Sequence, residues 1–518
     1  MRLIPSTRGG MLWRSLVAAI LVIGFAAATT AVGGLLQVRQ ITQYIGQTPS
    51  FKSTSSVVTV PDPGGAQTIL LVGSDHRAGT PFRDVNTDTM MLVRLDSASK
   101  TINLLSIPRD LKVQIPQGGV MATVKLNAAY FYGGPGLLIK TLQQQVFPGL
   151  KINHVVDVGF GGFERMINAI GCVYADVDHR YYNNTAVTDY SSIDIQPGYQ
   201  KLCGADALSF VRFRHTDSDI VRNARQQDFL RWAKAQFSQS QIVSQEGTLL
   251  KIFGKNATTD HNLHTTDGIL NLFELVAFSS IHSVKQIPFP AIQLPCYSGP
   301  TQGAAAGGAA PCYVTATSHA EQAAFHEFMS ATTEASVAHA AAPPKVGGKP
   351  GGGGIGNVPG LTPDLSDGKA QAKALGKLGI PIFVPRLIRS GSNYCLSGAS
   401  GCPLEYGAGP ASYPRAYLLH DRHGVAHYAY RMTLVMNPSF GQYYGVQGTT
   451  WQNPPILNSP SSTKTVNGKQ LLLYANGSKL SLVAWRTPQG VYWVSNTLTD
   501  DLTNRQLVAI AASLVKAG

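Results

Sequence analysis

The chain has 518 residues, more than one hydrophobic core normally serves, so two soluble domains with accessory segments are expected. Hydrophobic residues are 44% and charged residues 14%, which excludes a wholly disordered chain, a collagen and a polytopic membrane protein. The net charge of +13 admits nucleic acid, an anionic membrane surface or an anionic substrate, and its placement narrows these: residues 1–58 carry +5, 59–335 carry −2 and 336–518 carry +10.

Between Arg14 and Arg39 runs the uncharged stretch SLVAAILVIGFAAATTAVGGLLQV, and about 20 apolar residues cross a bilayer core. Residues 15–38 therefore predict one transmembrane helix after a short cytoplasmic tail, 1–14. Arg2, Arg8 and Arg14 precede it without any acid, so the N-terminus is expected inside and the rest of the chain outside the cell membrane. A cleaved signal peptide is the competing reading, but the run is longer than a usual signal core. This topology disfavours nucleic acid as a partner. Residues 39–66 then read as a stalk, 67–335 as the first domain, 336–360 as a Gly/Pro linker and 361–518 as a basic second domain.

In the first domain TILLVG, MMLVRL, INLLSI and LSFVRF read as strands, while GPGLLIKTLQQQVF and ARQQDFLRWAKAQF read as helices. This predicts an α/β layered domain, and the short DSASKT link between the second and third runs predicts a hairpin, hence a mixed sheet. In the second domain a helical GKAQAKALGKLG precedes five strand-like runs and a terminal helical LTNRQLVAIAASLVKA, a smaller α+β fold. No catalytic constellation stands out there. Six cysteines fit an oxidising compartment, and their order suggests sequential pairing among about 15 possible arrangements. Cys296–Cys312 brackets a Gly/Ala loop and Cys395–Cys402 a turn-rich hexapeptide, both expected as staples.

The chemistry concentrates in FVRFRHTDSDIVRNARQQDFL. On a strand Arg212 and Arg214 share one face, and Ser218 or Asp219 then caps a helix carrying Arg222, Arg225 and Gln226 on one side. Guanidinium forks near a helix N-terminus predict a phosphate or pyrophosphate ligand. Asp75 and Arg77 follow the first strand and Asp88 opens the next, placing two carboxylates beside that ligand. Such a pair suits Mg²⁺, with Mn²⁺ as a substitute, though each Asp also fits a plain turn former. Arg109 emerges at the end of INLLSI, where α/β sheets present ligand-binding residues, or else pairs with Asp110. Lys125 and Asn127 are weaker candidates for the same pocket. The segment VVDVGFGGFERMINAIG supplies apolar side chains fit to line a channel.

Strand-GSDHR, DTMMLV, SIPRDL, KLNAAYFYGG, VDVGFGGFERMINAIG and IDIQPGYQKLCGADALSFVRFRHTDSDIVRNARQQ, in this order over Thr68–Phe237, resemble the LytR-CpsA-Psr family of bacterial cell-envelope enzymes. The resemblance implies a membrane-anchored phosphotransferase moving a glycopolymer from a polyprenyl-pyrophosphate carrier onto peptidoglycan outside the membrane, assisted by Mg²⁺. It implies Asp75 and Asp88 as metal ligands and Arg77, Arg109, Arg212, Arg214, Arg222 and Gln226 as pyrophosphate ligands, with Arg225 close by; Lys125, Asn127 and Asp219 stand beside them as substrate-binding candidates from the residues themselves. A polyprenyl-pyrophosphate hydrolase and a non-catalytic lipid-pyrophosphate-binding regulator are the alternatives. The family often has Gly-Gly-Val and Leu-Asp-Gly where this chain has Gly171-Cys172-Val173 and Leu202-Cys203-Gly204, and a third disulfide, Cys172–Cys203, explains both departures economically.

Overall fold

A computed structural model describes residues 50–51, 54–62, 64–75, 85–99, 101–185, 192–214, 218–237, 246–279, 282–294, 312–330, 358–396, 402 and 413–517. The expected transmembrane helix and nearly all of the expected linker lie outside the described residues, among which no helix is long and apolar enough to cross a membrane.

The first domain is built on strands β1 (Ser50–Phe51), β2 (Gln67–Ser74), β3 (Thr87–Leu95), β4 (Thr101–Ser106), the hairpin β5 (Lys112–Gln117) and β6 (Val120–Lys125), and β7 (His154–Gly159). There follow β8 (Val173–Val177), β9 (Tyr181–Asn183), β10 (Ile193–Ile195), β11 (Gly198–Leu202), β12 (Thr258–Asp260) and β13 (Ser283–Ile287). Seven of these form one sheet in the order β1-β12-β7-β2-β3-β4-β13. It is mixed, as the short link predicts: β3 runs antiparallel to β2 and β4, while β2 is parallel to β7 and β4 to β13. Because β1 belongs to this sheet and Phe51 to its core, the domain has begun by Ser50, inside the stretch expected as a stalk.

Five helices matter for the site: α1 (Leu126–Thr141), α2 (Phe160–Ala169), α3 (Gly204–Arg212), α4 (Asp219–Ala235) and α5 (Glu246–Asn256). The run LSFVRF is a correction to the sequence reading. It is the end of α3 and not a strand, because Ala207, Phe210 and Val211 are buried at helical spacing of three and four. A Cβ on Gly162 would meet the Asn256 carbonyl at 2.3 Å, so α2 lies tightly against the end of α5.

The second domain is an eight-stranded antiparallel sheet spanning Asn393–Ser495, with helices Leu365–Leu375 and Asn504–Ser513 contributing to its core. It is not tethered loosely. Tyr174 and Tyr199 of β8 and β11 share one hydrophobic cluster with Leu419, Leu482 and Trp493. Asp176, 6% exposed, pairs with Arg431, 1% exposed, at 3.1 Å and accepts from Trp493 Nε1 at 3.3 Å. Gly198, at φ 112°, leaves room for the Tyr417 hydroxyl, which a Cβ there would meet at 2.6 Å.

Candidate active site

Strand direction builds the site. β2, β4 and β7 end, and β3 begins, along one edge of the sheet, since Ser74 pairs with both Thr87 and Gly159. The segments just beyond this edge carry Asp75, Asp88, Arg109 and Phe160. That is the position where open α/β sheets bind ligands.

Asp88 is the hub. Its Oδ1 takes Arg109 Nη1 in a very short ion pair, and its Oδ2 lies 3.5 Å from Arg212. Burial opposes ionisation of this carboxyl, but the charges of Arg109, Arg222 and Arg212 outweigh burial and hold it below the ordinary aspartate value. Arg212 also rests over the Phe160 ring, its guanidinium carbon 3.8 Å from the centroid. Helix α4 starts from Ser218, whose hydroxyl accepts from Val221 N. Its first turn presents Asp219, which accepts from Arg109 N at 3.1 Å and pairs closely with Arg222. Burial pulls Arg222 below the ordinary arginine value, and Asp219 opposes that pull. One turn on, Gln226 donates to Thr89 Oγ1 at 2.7 Å and to the Val211 carbonyl at 3.0 Å, locking α3 and α4 to β3.

A second carboxylate organises the flank. Asp110 receives Arg214 at 2.9 Å and Lys125 at 3.0 Å, and the carbonyl of its neighbour Arg109 accepts from Asn127 N at 3.1 Å. Asp88, Arg109, Arg212, Arg222 and Gln226 are thus brought together, with Arg214, Lys125 and Asn127 alongside. Arg77 lies outside the described residues. Arg225 does not join them: it is fully buried, donates to the Phe210 and Phe213 carbonyls and stacks on Tyr181. Helical spacing puts Arg225 on one side with Arg222 and Gln226, but the Phe210 and Phe213 carbonyls and the Tyr181 ring turn it inward.

Sequence reasoning missed three contributors: Phe160, Thr89, and the buried Asp157 that accepts from Ser74 Oγ at 2.7 Å and closely from the Tyr130 hydroxyl. A signal for Asp157 exists, a carboxylate inside the otherwise apolar run HVVDVG.

For Mg²⁺ the donor set fits. Asp75 caps the turn by accepting from Asn86 N at 2.8 Å, leaving lone pairs open, and Asp88 is held ionised. Among the described residues no group of three or more potential ligands gathers, so an ion at Asp75 and Asp88 would take the rest of its shell from phosphate and water.

Behind Arg212 and Gln226 opens an apolar cavity of about 300 Å³. Its walls include Phe163, Met166 and Ile167 of α2, Val211, Phe229 and, from α5, Phe253. The segment expected to line a channel does line it.

The sequence model of the LytR_cpsA_psr family matches residues 35–302. The chain is 37% identical over 173 residues to the probable cell wall biosynthesis protein LcpB of Corynebacterium glutamicum, covering 31% of this chain and 39% of that protein. It is 30% identical over 203 residues to the polyisoprenyl-teichoic acid–peptidoglycan teichoic acid transferase TagV of Bacillus subtilis, covering 39% and 51%. With TagT of the same organism, which bears the same description, it shares 30% identity over 230 residues, covering 44% and 68%. The chain thus spans about half the length of the curated relatives it matches. A solved structure of TagT bound to LI-WTA is similar at 26% identity, covering 52% of this chain and 92% of that one, with a TM-score of 0.39.

Proposed function

Since the chain belongs to the LytR-CpsA-Psr family, we propose that it is a phosphotransferase that moves a glycopolymer from a polyprenyl-pyrophosphate carrier onto a peptidoglycan hydroxyl, anchored by residues 15–38 with both domains outside the membrane. The observation that carries this reading is a cluster of Arg109, Arg212 and Arg222 around Asp88 at the mouth of an apolar cavity. A lipid pyrophosphate has those two parts, a polyanionic head and an apolar tail.

The arginines neutralise and orient the pyrophosphate, and Gln226 keeps the two helices that carry them fixed on β3. Asp75 and Asp88 would hold Mg²⁺, which supplies charge neutralisation at the phosphate oxygens. The acceptor hydroxyl oxygen bonds to the glycopolymer-linked phosphorus, the bond from that phosphorus to the bridging oxygen breaks, and polyprenyl phosphate leaves. The hydroxyl proton passes to solvent or to a carboxylate, and we assign no base. The cavity lined by α2 and α5 takes the first part of the carrier chain.

The test incubates the purified full chain with lipid-linked glycopolymer and peptidoglycan and identifies the products. Covalent attachment is expected, and release of free glycopolymer phosphate would support a hydrolase instead. Arg212→Ala and Arg109→Ala should each abolish turnover. Unchanged turnover in both variants would overturn this assignment of the site, and a wild type that binds the lipid-linked donor but turns nothing over would be a non-catalytic binder.

A further inference from the structure

The cleft between the domains carries the further inference. Helix α4 has two working stripes. Arg222 and Gln226 face the cluster just described, whereas Ile220, Asn223, Ala224 and Gln227, spaced by three and four, line a separate cavity of about 230 Å³. Its opposite wall comes from the second domain, the 476–479 turn and Leu498–Asp500. Pro108 lines it too, and the next residue is Arg109 of the cluster. The cleft therefore opens beside the reacting groups, on the side away from the apolar cavity.

Its chemistry selects a ligand class. Asn223 is only 7% exposed and lines the cleft, and its side-chain amide makes no hydrogen bond with any described residue. That amide therefore faces the cleft with its donors and its acceptor open to a ligand. Around it stand further amides and hydroxyls: Gln227, Asn476, Ser478 and Thr499. Lys479 is the one cation among the described lining residues, its ammonium donating to the Asp500 carbonyl at 3.0 Å, and the lining also holds two carboxyl residues, Glu327 and Asp500. Such a wall does not suit the phosphates of a donor. It suits an uncharged, hydroxyl-rich ring with an amide substituent, and the space, about eight waters' worth at ~30 Å³ each, holds one ring.

We propose that this interdomain cleft binds an N-acetylated sugar of the acceptor glycan and aims its hydroxyl at the phosphorus held by Arg109 and Arg212. The proposal rests on the transferase reading for its role, but saccharide binding is a property of the cleft alone. It also gives the second domain a function: half of the acceptor site.

The test titrates the full chain with chitotetraose in a calorimeter. Wild type and Arg212→Ala should bind alike. Asn223→Leu, which removes the amide, and Ser478→Trp, which fills the cleft from the exposed turn, should each weaken binding roughly tenfold or more. Ser478 is exposed, so the second variant folds even where the first does not. In the transfer assay both should raise KM for the glycan acceptor and leave KM for the lipid-linked donor unchanged. Absence of chitotetraose binding, or equal binding by wild type and both variants, overturns the proposal while the transferase reading stands on its arginine variants. Binding that the variants weaken, in a protein that shows no transfer, supports the cleft and overturns the transferase reading.

Discussion

Arg212 and Arg225 show how one residue type serves opposite ends in neighbouring positions. The Arg212 side chain is one-third exposed and shares its carboxylate with Arg109, so its charge is available to a ligand. Arg225 is sealed, and its forks satisfy the carbonyls at the end of α3. Arg225→Ala should therefore lower stability by about 3 kcal/mol, leaving two buried carbonyls without their donor. Arg212→Ala should change stability by less than about 1 kcal/mol, as for a partly exposed pair. Urea unfolding of both variants checks the contrast, and equal losses would refute the division of roles. The sequence carries the arginines themselves clearly, because they crowd into one motif, but not this division, which depends on which stripe of α4 faces α3. Arg222 and Arg225 are three apart and look equivalent on a helical wheel, and only the buried Tyr181 and Phe210 decide between them.

At the scale of elements, three of the four six-residue apolar runs are the strands their patterns predict and one is not. β2, β3 and β4 follow their sequence patterns, and the link between β3 and β4 fixes their antiparallel pairing. LSFVRF failed because six residues alternate as convincingly on a strand as they complete the last turns of a helix. The segment before it is held by the Cys172–Cys203 disulfide, which ties the end of α2 to the start of α3 across 31 residues. Cys395–Cys402 also forms, and Cys312 is disulfide-bonded, while its expected partner Cys296 lies outside the described residues. Cys172 sits at φ 69°, a left-handed backbone that explains glycine in the resembling motif. Replacing the pair as Cys172→Gly with Cys203→Ser relieves that backbone and removes only the cross-link. The variant should lose about 3–4 kcal/mol, the loop-closure entropy of a ring this size. A denaturant midpoint unchanged from wild type would show that α2 and α3 are held by packing alone.

At the scale of the molecule, composition divides the charge between two domains, but the structure joins them through buried polar groups that no local pattern announces. Asp500 of the second domain lies beside Asp228 of the first, linked through Asn476 and Gln286. Burial, and then the charge of Asp228, push the Asp500 carboxyl up to about 7. The folded state therefore keeps a proton that the unfolded chain releases from about pH 4 upward. Stability from this group is intact at low pH and falls as pH rises from about 4 to about 7, then levels. Asp500→Asn, which tolerates the φ of 52° at this position, should remove that part of the slope and be more stable than wild type at pH 8. The Asp176–Arg431 pair gives a sharper test of the union. Arg431→Met strands a carboxylate that is 6% exposed and should cost about 3–5 kcal/mol. Adding Asp176→Asn removes the stranded charge and should restore most of that loss, since the penalty belongs to the unpaired ion and not to the missing contact. Because Tyr174, Tyr199 and Trp493 share one cluster, tryptophan fluorescence and far-ultraviolet circular dichroism should report a single coincident transition for wild type. Two separated transitions in wild type, or an Arg431→Met midpoint equal to it, would mean that the domains fold independently and that the cleft between them is not a fixed site.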